Sequence, residues 1–270
     1  MKLITVEQME AATERLLENG RQVGADSWQQ RVKNQTPHCK FGEEGVCCRI
    51  CSMGPCRVTP KAPRGICGCD VHGIVARNYL RFTAGGAATH SDHGRSICHT
   101  LYQTKEGGNY TVKDPEKLKR IAGEWGIATE GKDIYDLAHE VAETALMEYG
   151  KPFGLQRFLS RAPEHTQKLW HDAGIEPRAI DREVSQSLHM THMGCSSLPE
   201  ALIRQSLRAG LCDGWGGSMC GTEFSDVLFG TPKPVDTTAN LGVMEKDMVN
   251  IVVHGHDPSL SEMIVFYAQD

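Results

Sequence analysis

The chain has 270 residues, 40% of them hydrophobic and 23% charged, which leaves room for one or two domains at roughly 150 residues each. Lys plus Arg number 29 against 34 Asp plus Glu, so the net charge of −5 gives no electrostatic basis for binding nucleic acid. No apolar run approaches the roughly 18 residues of a membrane span, and the start MKLITVEQMEAATERLL lacks the apolar core of a secretory signal.

In chain order, Thr5 and Gln8 form a capping box for a first helix. Apolar positions follow at Val6, Met9, Leu16 and Leu17, and Gly20 is the expected stop. Residues 1–36 read as that helix and a polar linker. The next stretch, CKFGEEGVCCRICSMGPCRVTPKAPRGICGC, is rich in Gly and Pro, which predicts irregular loops over 37–70. Asp70 is the expected N-cap of a long helix running through VARNYLRF towards Leu101, with Gly85-Gly86 as a kink point. Asp114-Pro115 starts a helix that Gly126 ends. Ile134, Leu137, Val141, Ala145 and Leu146 then mark an amphipathic helix closing at Gly150. PEHTQKLWHDAG and PRAIDREVSQSLHMTHMG repeat these signals, so 71–235 is predicted helical.

Residues 236–270 differ. Val249 to Val253 is a β-branched run of the kind buried in a parallel sheet, and Ser259 with Glu262 caps a following helix. A buried parallel strand needs a crossover partner. The expectation is the front part of a longer protein, cut just inside an α/β domain, the alternative being a short chain whose last strand pairs with a partner subunit.

Cysteine carries the strongest chemical signal. There are 11, seven of them between Cys39 and Cys69, an odd total that argues against a secreted disulfide framework and for metal binding in the cytoplasm. The order is Cys39-x7-Cys47-Cys48-x2-Cys51-x4-Cys56-x10-Cys67-x-Cys69. Cys48, Cys51 and Cys56 suit one cubane iron–sulfur cluster, and Cys67 can close the set. Gly54-Pro55 and Gly65 supply turns where backbone passes close to sulfide. Neighbours such as Cys47 and Cys48 do not both ligate one cubane. Cys39 and Cys47 are therefore left as half a site, which a two-fold dimer would complete. A zinc knuckle is the competing reading, but it needs a second C-x2-C pair, which is missing here. Cys98, Cys195, Cys212 and Cys220 read as small buried residues of a helical core.

The runs CCRICSMGPCR, RGICG and IVARN, then DGWGGSM after Cys212, FSDVLFGTPKP and VNIVVHGHDPSLSEMI, resemble the nickel-containing anaerobic carbon monoxide dehydrogenases along the whole chain. The resemblance implies an oxidoreductase that reversibly oxidises CO with water to CO2. Its fold would be a mainly α N-terminal helical domain with a cysteine-rich iron–sulfur loop region, followed by the first β-α unit of a truncated Rossmann-like α/β domain. It implies that Cys48, Cys51, Cys56 and Cys67 hold a 4Fe–4S relay group, the B cluster. Cys39 and Cys47 would give ligands to a subunit-bridging D cluster, with x7 spacing resembling its 4Fe–4S version. His256, in preference to His254, would hold the unique iron of a nickel–iron–sulfur C cluster. Partners implied are a second copy, a ferredoxin-like electron acceptor and, in some arrangements, an acetyl-CoA synthase. The chain departs from the family in a shorter stretch between Cys56 and Cys67 and in a cysteine at 69; Cys67, within GICG, is the expected ligand. The remaining C-cluster thiolates would lie beyond residue 270, so this chain alone is expected to be inactive.

His90, His93 and His99 recur at helical spacing in THSDHGRSICH, giving a slanting row of imidazoles on one helix face. Spacing alone favours a solvated polar face. The resemblance implies instead that His90 is the acid/base residue and that His93 and His99 lead protons outward, with Ser96 standing where a further histidine would continue the row. His189 and His192 share the spacing and read as helix-face packing. Two other functions compete: a non-catalytic iron–sulfur electron-transfer or assembly module, and a zinc-stabilised helical scaffold.

Overall fold

Local side-chain chemistry sets the main helix starts in the computed structural model, which describes residues 11–107 and 109–233, with 263, 264 and 266–268 besides. Asp70 accepts the Gly73 N–H at 2.9 Å and opens α4 (Val71–Gln103). Asp114 accepts the Lys117 N–H at 2.9 Å and, with Pro115 in the first turn, opens α5 (Pro115–Glu124). Asp133 accepts the Tyr135 N–H at 2.8 Å and opens α6 (Ile134–Gly150). Each such cap satisfies an otherwise orphaned helix donor, worth about 1 kcal/mol.

The other helices are α1 (Ala11–Gln22), α2 (Trp28–Asn34), α3 (Lys40–Glu43), α7 (Glu164–Asp172), α8 (Ile180–Thr191), α9 (Pro199–Cys212) and α10 (Met219–Phe229). A π-helical segment, Asp213–Ser218, joins α9 to α10 without a break in helical backbone. The described chain is thus mainly helical, as expected.

Several expectations change. Helix α1 passes through Gly20 and ends at Gln22; the backbone turns at Gly24, whose φ of 74° suits glycine. The stretch read as linker contains α2, capped by Ser27, whose hydroxyl accepts the Gln30 N–H. The cysteine-rich segment is not wholly irregular. It holds α3 and a two-residue antiparallel pair, β1 (Cys47–Cys48) with β2 (Cys56–Arg57), in which Cys48 faces Cys56. Helix α4 runs unbroken through Gly85-Gly86, both exposed with open space around them. The capping box at Thr5 and the β-α unit with His254 and His256 lie outside the described residues.

The 33-residue α4 is the axis of the bundle, packed against α6, α8, α9, α10 and the π segment. One core cluster joins Ile97 and Leu101 of α4 to Leu118 and Ile121 of α5, Val141 and Tyr149 of α6, and Phe224 and Val227 of α10. Trp125 packs on Phe158 and edge-on to Phe224, with ring centroids 4.9 and 5.9 Å away. Glu183 of α8, fully buried, receives both the Arg178 guanidinium and Gln205 Nε2 of α9, the latter at 2.8 Å. A buried carboxylate is retained where such partners satisfy it. The effect is a rigid platform: the N-terminal end of α4 lies against the cysteine segment, and its middle lies against the π segment.

Candidate metal centre

Four of the predicted ligands converge. Cys48, Cys51, Cys56 and Cys67 line one cavity, together with Gly54, Gly65 and Arg77. The hairpin pairing sets Cys48 across from Cys56, and the turn carrying Cys51 is closed by the Gly54 N–H on the Cys51 carbonyl at 3.2 Å. A side chain at Gly54 would stand 3.1 Å from the Cys48 carbonyl oxygen and 3.2 Å from the Cys56 nitrogen, so glycine permits this tight winding.

Several N–H groups aim at these sulfurs: Ile50 N–H at Cys48, Ile66 N–H at Cys56 (3.5 Å), and the Cys69 and Gly194 N–H groups at Cys67. Burial pushes the Cys48 thiol above the ordinary cysteine range, opposed by the Ile50 N–H and the charge of Arg77. At Cys67 burial acts in the same sense, but the Cys69 N–H, the Arg77 hydrogen bond and charge, and the Gly194 N–H together outweigh it and hold the thiol below that range.

Cys69 stands apart from this set. It is 1% exposed, does not line the cavity, and packs so close to the start of α4 that a side chain at Gly73 would strike its sulfur. Of these two cysteines, only Cys67 lines the cavity. Cys47 is also outside the cavity: successive residues of a strand point to opposite faces, so β1 turns Cys47 away from Cys48. Cys39 precedes α3 and is exposed. Asn78 of α4 donates to the Cys47 carbonyl at 3.1 Å and anchors that strand to the bundle.

Among the described residues, no three His, Cys, Asp or Glu side chains are arranged to hold a single metal ion. Cys98, Cys212 and Cys220 are buried in the helical core as expected, but Cys195 is exposed. His189 and His192 are exposed as well, so the packing expected of them is not found.

The histidine row divides. His90 and His93 line one polar cleft with Ser218, Thr222, Ser225 and Asp226. Ser96 and His99 are exposed further along α4, and the Ser96 hydroxyl donates to the Asp92 carbonyl of its own helix at 3.0 Å. The contact that residue spacing could not reveal is His90 Nδ1 to Asp213 Oδ1, at 2.6 Å. Asp213 opens the π segment, 123 residues further on; the only local hint was the glycine-rich run that follows it, DGWGGS.

Those glycines bring the two elements together. A side chain at Gly217 would stand 2.7 Å from the His90 carbonyl carbon, and one at Gly94 would stand 2.6 Å from the Gly217 carbonyl oxygen. Helix α4 and the π segment thus meet backbone to backbone. Gly217→Ala is expected to destabilise the fold by about 1–3 kcal/mol, the usual range for overpacking, and to part His90 from Asp213. A urea titration reads the first effect, and the chemical shifts of the His90 imidazole read the second.

Comparison with known proteins places the chain in one family. Residues 46–270 match the model of the Prismane/CO dehydrogenase family. Carbon monoxide dehydrogenase 1 of Methanosarcina mazei is 46% identical over 267 residues, 97% of this chain and 42% of that protein. The carbon monoxide dehydrogenase/acetyl-CoA synthase subunit beta of Moorella thermoacetica is 40% identical, over 89% of this chain and 37% of its own length. A nickel-free crystal structure of carbon monoxide dehydrogenase from Thermococcus sp. AM4 superposes with a TM-score of 0.88 at 46% identity, over 97% of this chain and 42% of that one. The chain thus spans about two fifths of the length of these relatives.

Proposed function

Because the chain belongs to the Prismane/CO dehydrogenase family, we propose that it carries the cluster-binding and helical portion of a carbon monoxide dehydrogenase, and that the whole protein reversibly oxidises CO with water to CO2. The observation that carries this reading is the ring of Cys48, Cys51, Cys56 and Cys67 around one cavity, with buried Arg77 as its one charged lining side chain among the described residues. Soft sulfur donors on tight turns, with N–H groups aimed at the sulfurs, are the donor set of a 4Fe–4S cluster. In this reading they hold the B cluster. Cys39 and Cys47 supply one subunit's share of the D cluster, and His256 holds the iron of the C cluster. When bound, these groups supply the one-electron relay and, at the nickel–iron–sulfur site, the redox and Lewis-acid chemistry.

The protein's own residues position and move protons. With Nδ1–H of His90 donating to the Asp213 carboxylate, the tautomer is set, and Nε2 is the nitrogen that exchanges the substrate-derived proton. His93, in the same cleft, is the next proton carrier. His99 lies further out on α4, with Ser96 interrupting the row before it. A ferredoxin-like protein takes the electrons. An acetyl-CoA synthase partner belongs to the reading because the Moorella relative bears that name. The site of action is an anaerobic cytoplasm.

A homodimer fits the half-site at Cys39 and Cys47. Tyr79 and Phe82 are 54% and 81% exposed on α4, close to the Asn78 that holds the Cys47 strand, and a second copy would cover them. Replacing both Cys39 and Cys47 with serine is expected to remove one shared cluster per dimer and weaken dimerisation, as read by iron analysis and sedimentation. Unchanged iron per dimer would refute the bridging role.

The full reading is tested on the full-length protein, reconstituted anaerobically with iron, sulfide and nickel. The expected result is a brown protein that reduces a viologen dye when CO is added. A colourless, zinc-loaded protein would overturn it, and a brown protein without nickel or CO-dependent reduction would leave only an electron-transfer module.

A further inference from the structure

The thiol-lined cavity contains a side chain whose work is neither ligation nor proton transfer. Arg77, in the second turn of α4, is 2% exposed. Its Nε and Nη2 both donate to the Ser196 carbonyl, Nε at 2.6 Å, and this grip aims the remaining nitrogen: Nη1 donates to Cys67 Sγ at 3.3 Å. No other charged side chain lines the cavity among the described residues, so no carboxylate there neutralises the guanidinium. Its charge is permanent, because arginine is not deprotonated in proteins.

Resting on the cluster assignment above, we propose that Arg77 sets the reduction potential of the group held by Cys48, Cys51, Cys56 and Cys67, and that it acts on that group through Cys67. The physical reason is charge. Four thiolates around a 4Fe–4S core leave a net negative complex, and adding one electron makes it more negative. A fixed positive charge at one sulfur, shielded from water, stabilises the reduced state more than the oxidised one and raises the potential. The N–H···S bond acts in the same sense by drawing electron density from the sulfur. The couple is one electron in, with no bond broken and no proton required, since the guanidinium is charged in both states. Arg77 is thus a positioning and tuning residue. It biases electrons to rest at this relay.

The Ser196 carbonyl gives the arrangement its rigidity. That residue lies in the turn between α8 and α9, 119 positions from Arg77, so the helical bundle holds the charge in place and the cysteine loop does not have to. The adjacent Asn78 bonds the Cys47 carbonyl, on the outward side of the same hairpin. Consecutive residues of one helix thereby serve the two predicted cluster sites differently: a charge for one, a backbone anchor for the other.

The test uses the full-length protein, loaded anaerobically, with a dithionite titration followed by electron paramagnetic resonance. The signal followed is the one that Cys51→Ser removes. Arg77→Gln is expected to lower the equilibrium constant for one-electron reduction at least tenfold, about 59 mV for a one-electron couple. Arg77→Lys, which keeps the charge but loses the planar fork, should fall between Gln and wild type. Iron content and the circular dichroism spectrum are measured beside the potentials. A loaded Arg77→Gln protein whose potential matches wild type overturns the proposal and leaves the cluster assignment standing. Loss of the signal in both variants, with helices intact, also overturns it and makes Arg77 a holder of Cys67 only. A wild-type protein that takes up no cluster overturns the assignment itself.

Discussion

Replacing His90 with alanine in the full-length protein is expected to lower CO-oxidation turnover by about 10²–10⁴-fold, the usual contribution of a general acid/base residue. Metal content should be unchanged, since His90 belongs to the α4–π segment contact and lies outside the thiol cavity. The larger part of the loss should appear in the maximal rate, because the group acts on a proton in flight and not on substrate affinity. Asp213→Asn is a finer probe. It keeps the side-chain shape but replaces the carboxylate that receives Nδ1–H at 2.6 Å with an amide that can present either an acceptor or a donor. Turnover should fall by less than in His90→Ala, and the double variant should be no worse than His90→Ala alone, since Asp213 acts through the imidazole. His99→Ala should cost less than either, because water can bypass an exposed outer position. Near-normal turnover of His90→Ala, with metals intact, would return the row to a polar helix face.

The second large effect is expected at the relay. Cys51→Ser should abolish CO-dependent reduction of an external dye and remove about four irons per chain, while nickel content stays near that of wild type. A serine hydroxyl is a harder donor with a far higher pKa than a thiol, and it replaces the thiolate poorly on iron. Cys69→Ser is the matched control. Cys69 is buried beneath the start of α4 and outside the cavity, so its replacement should leave iron content and electron delivery intact. Burial raises the Cys69 thiol above the ordinary range. Dye reduction surviving in Cys51→Ser, or lost in Cys69→Ser, would move the ligand set by two residues at its Cys67 end or dissolve it.

The two tests separate the two halves of the reading. His90→Ala addresses proton handling with the relay intact, and Cys51→Ser addresses electron flow with the proton route intact. The Arg77 variants stand between them, leaving both routes assembled and altering only how readily the relay accepts an electron.

The sequence by itself determined what depends on near neighbours. Asp70 and Asp114 announce helix starts because a carboxylate three residues before a free N–H caps it wherever the rest of the chain goes. The C-x2-C-x4-C spacing brings Cys48, Cys51 and Cys56 to one cavity for the same reason: all three lie within nine residues of each other. Local rules failed where signals were weak or competed. Gly20 lies inside α1 because one helix glycine costs only about 1 kcal/mol, and the seven residues of α2 offer only Trp28 and Val32 as apolar positions, too short a pattern to mark a helix.

Relations across 100 residues or more were decided by tertiary structure alone. Nothing near Arg77 in the sequence names Ser196, and nothing near His90 names Asp213; each pair exists because α4 is the axis on which later helices pack. The contact of Gly94 with Gly217, invisible as two ordinary glycines, lets that packing come to backbone distance. The surroundings of Cys67 and Cys69 were likewise decided in space: the start of α4 buries the Cys69 sulfur, while Cys67 lines the cavity and receives the Arg77 guanidinium.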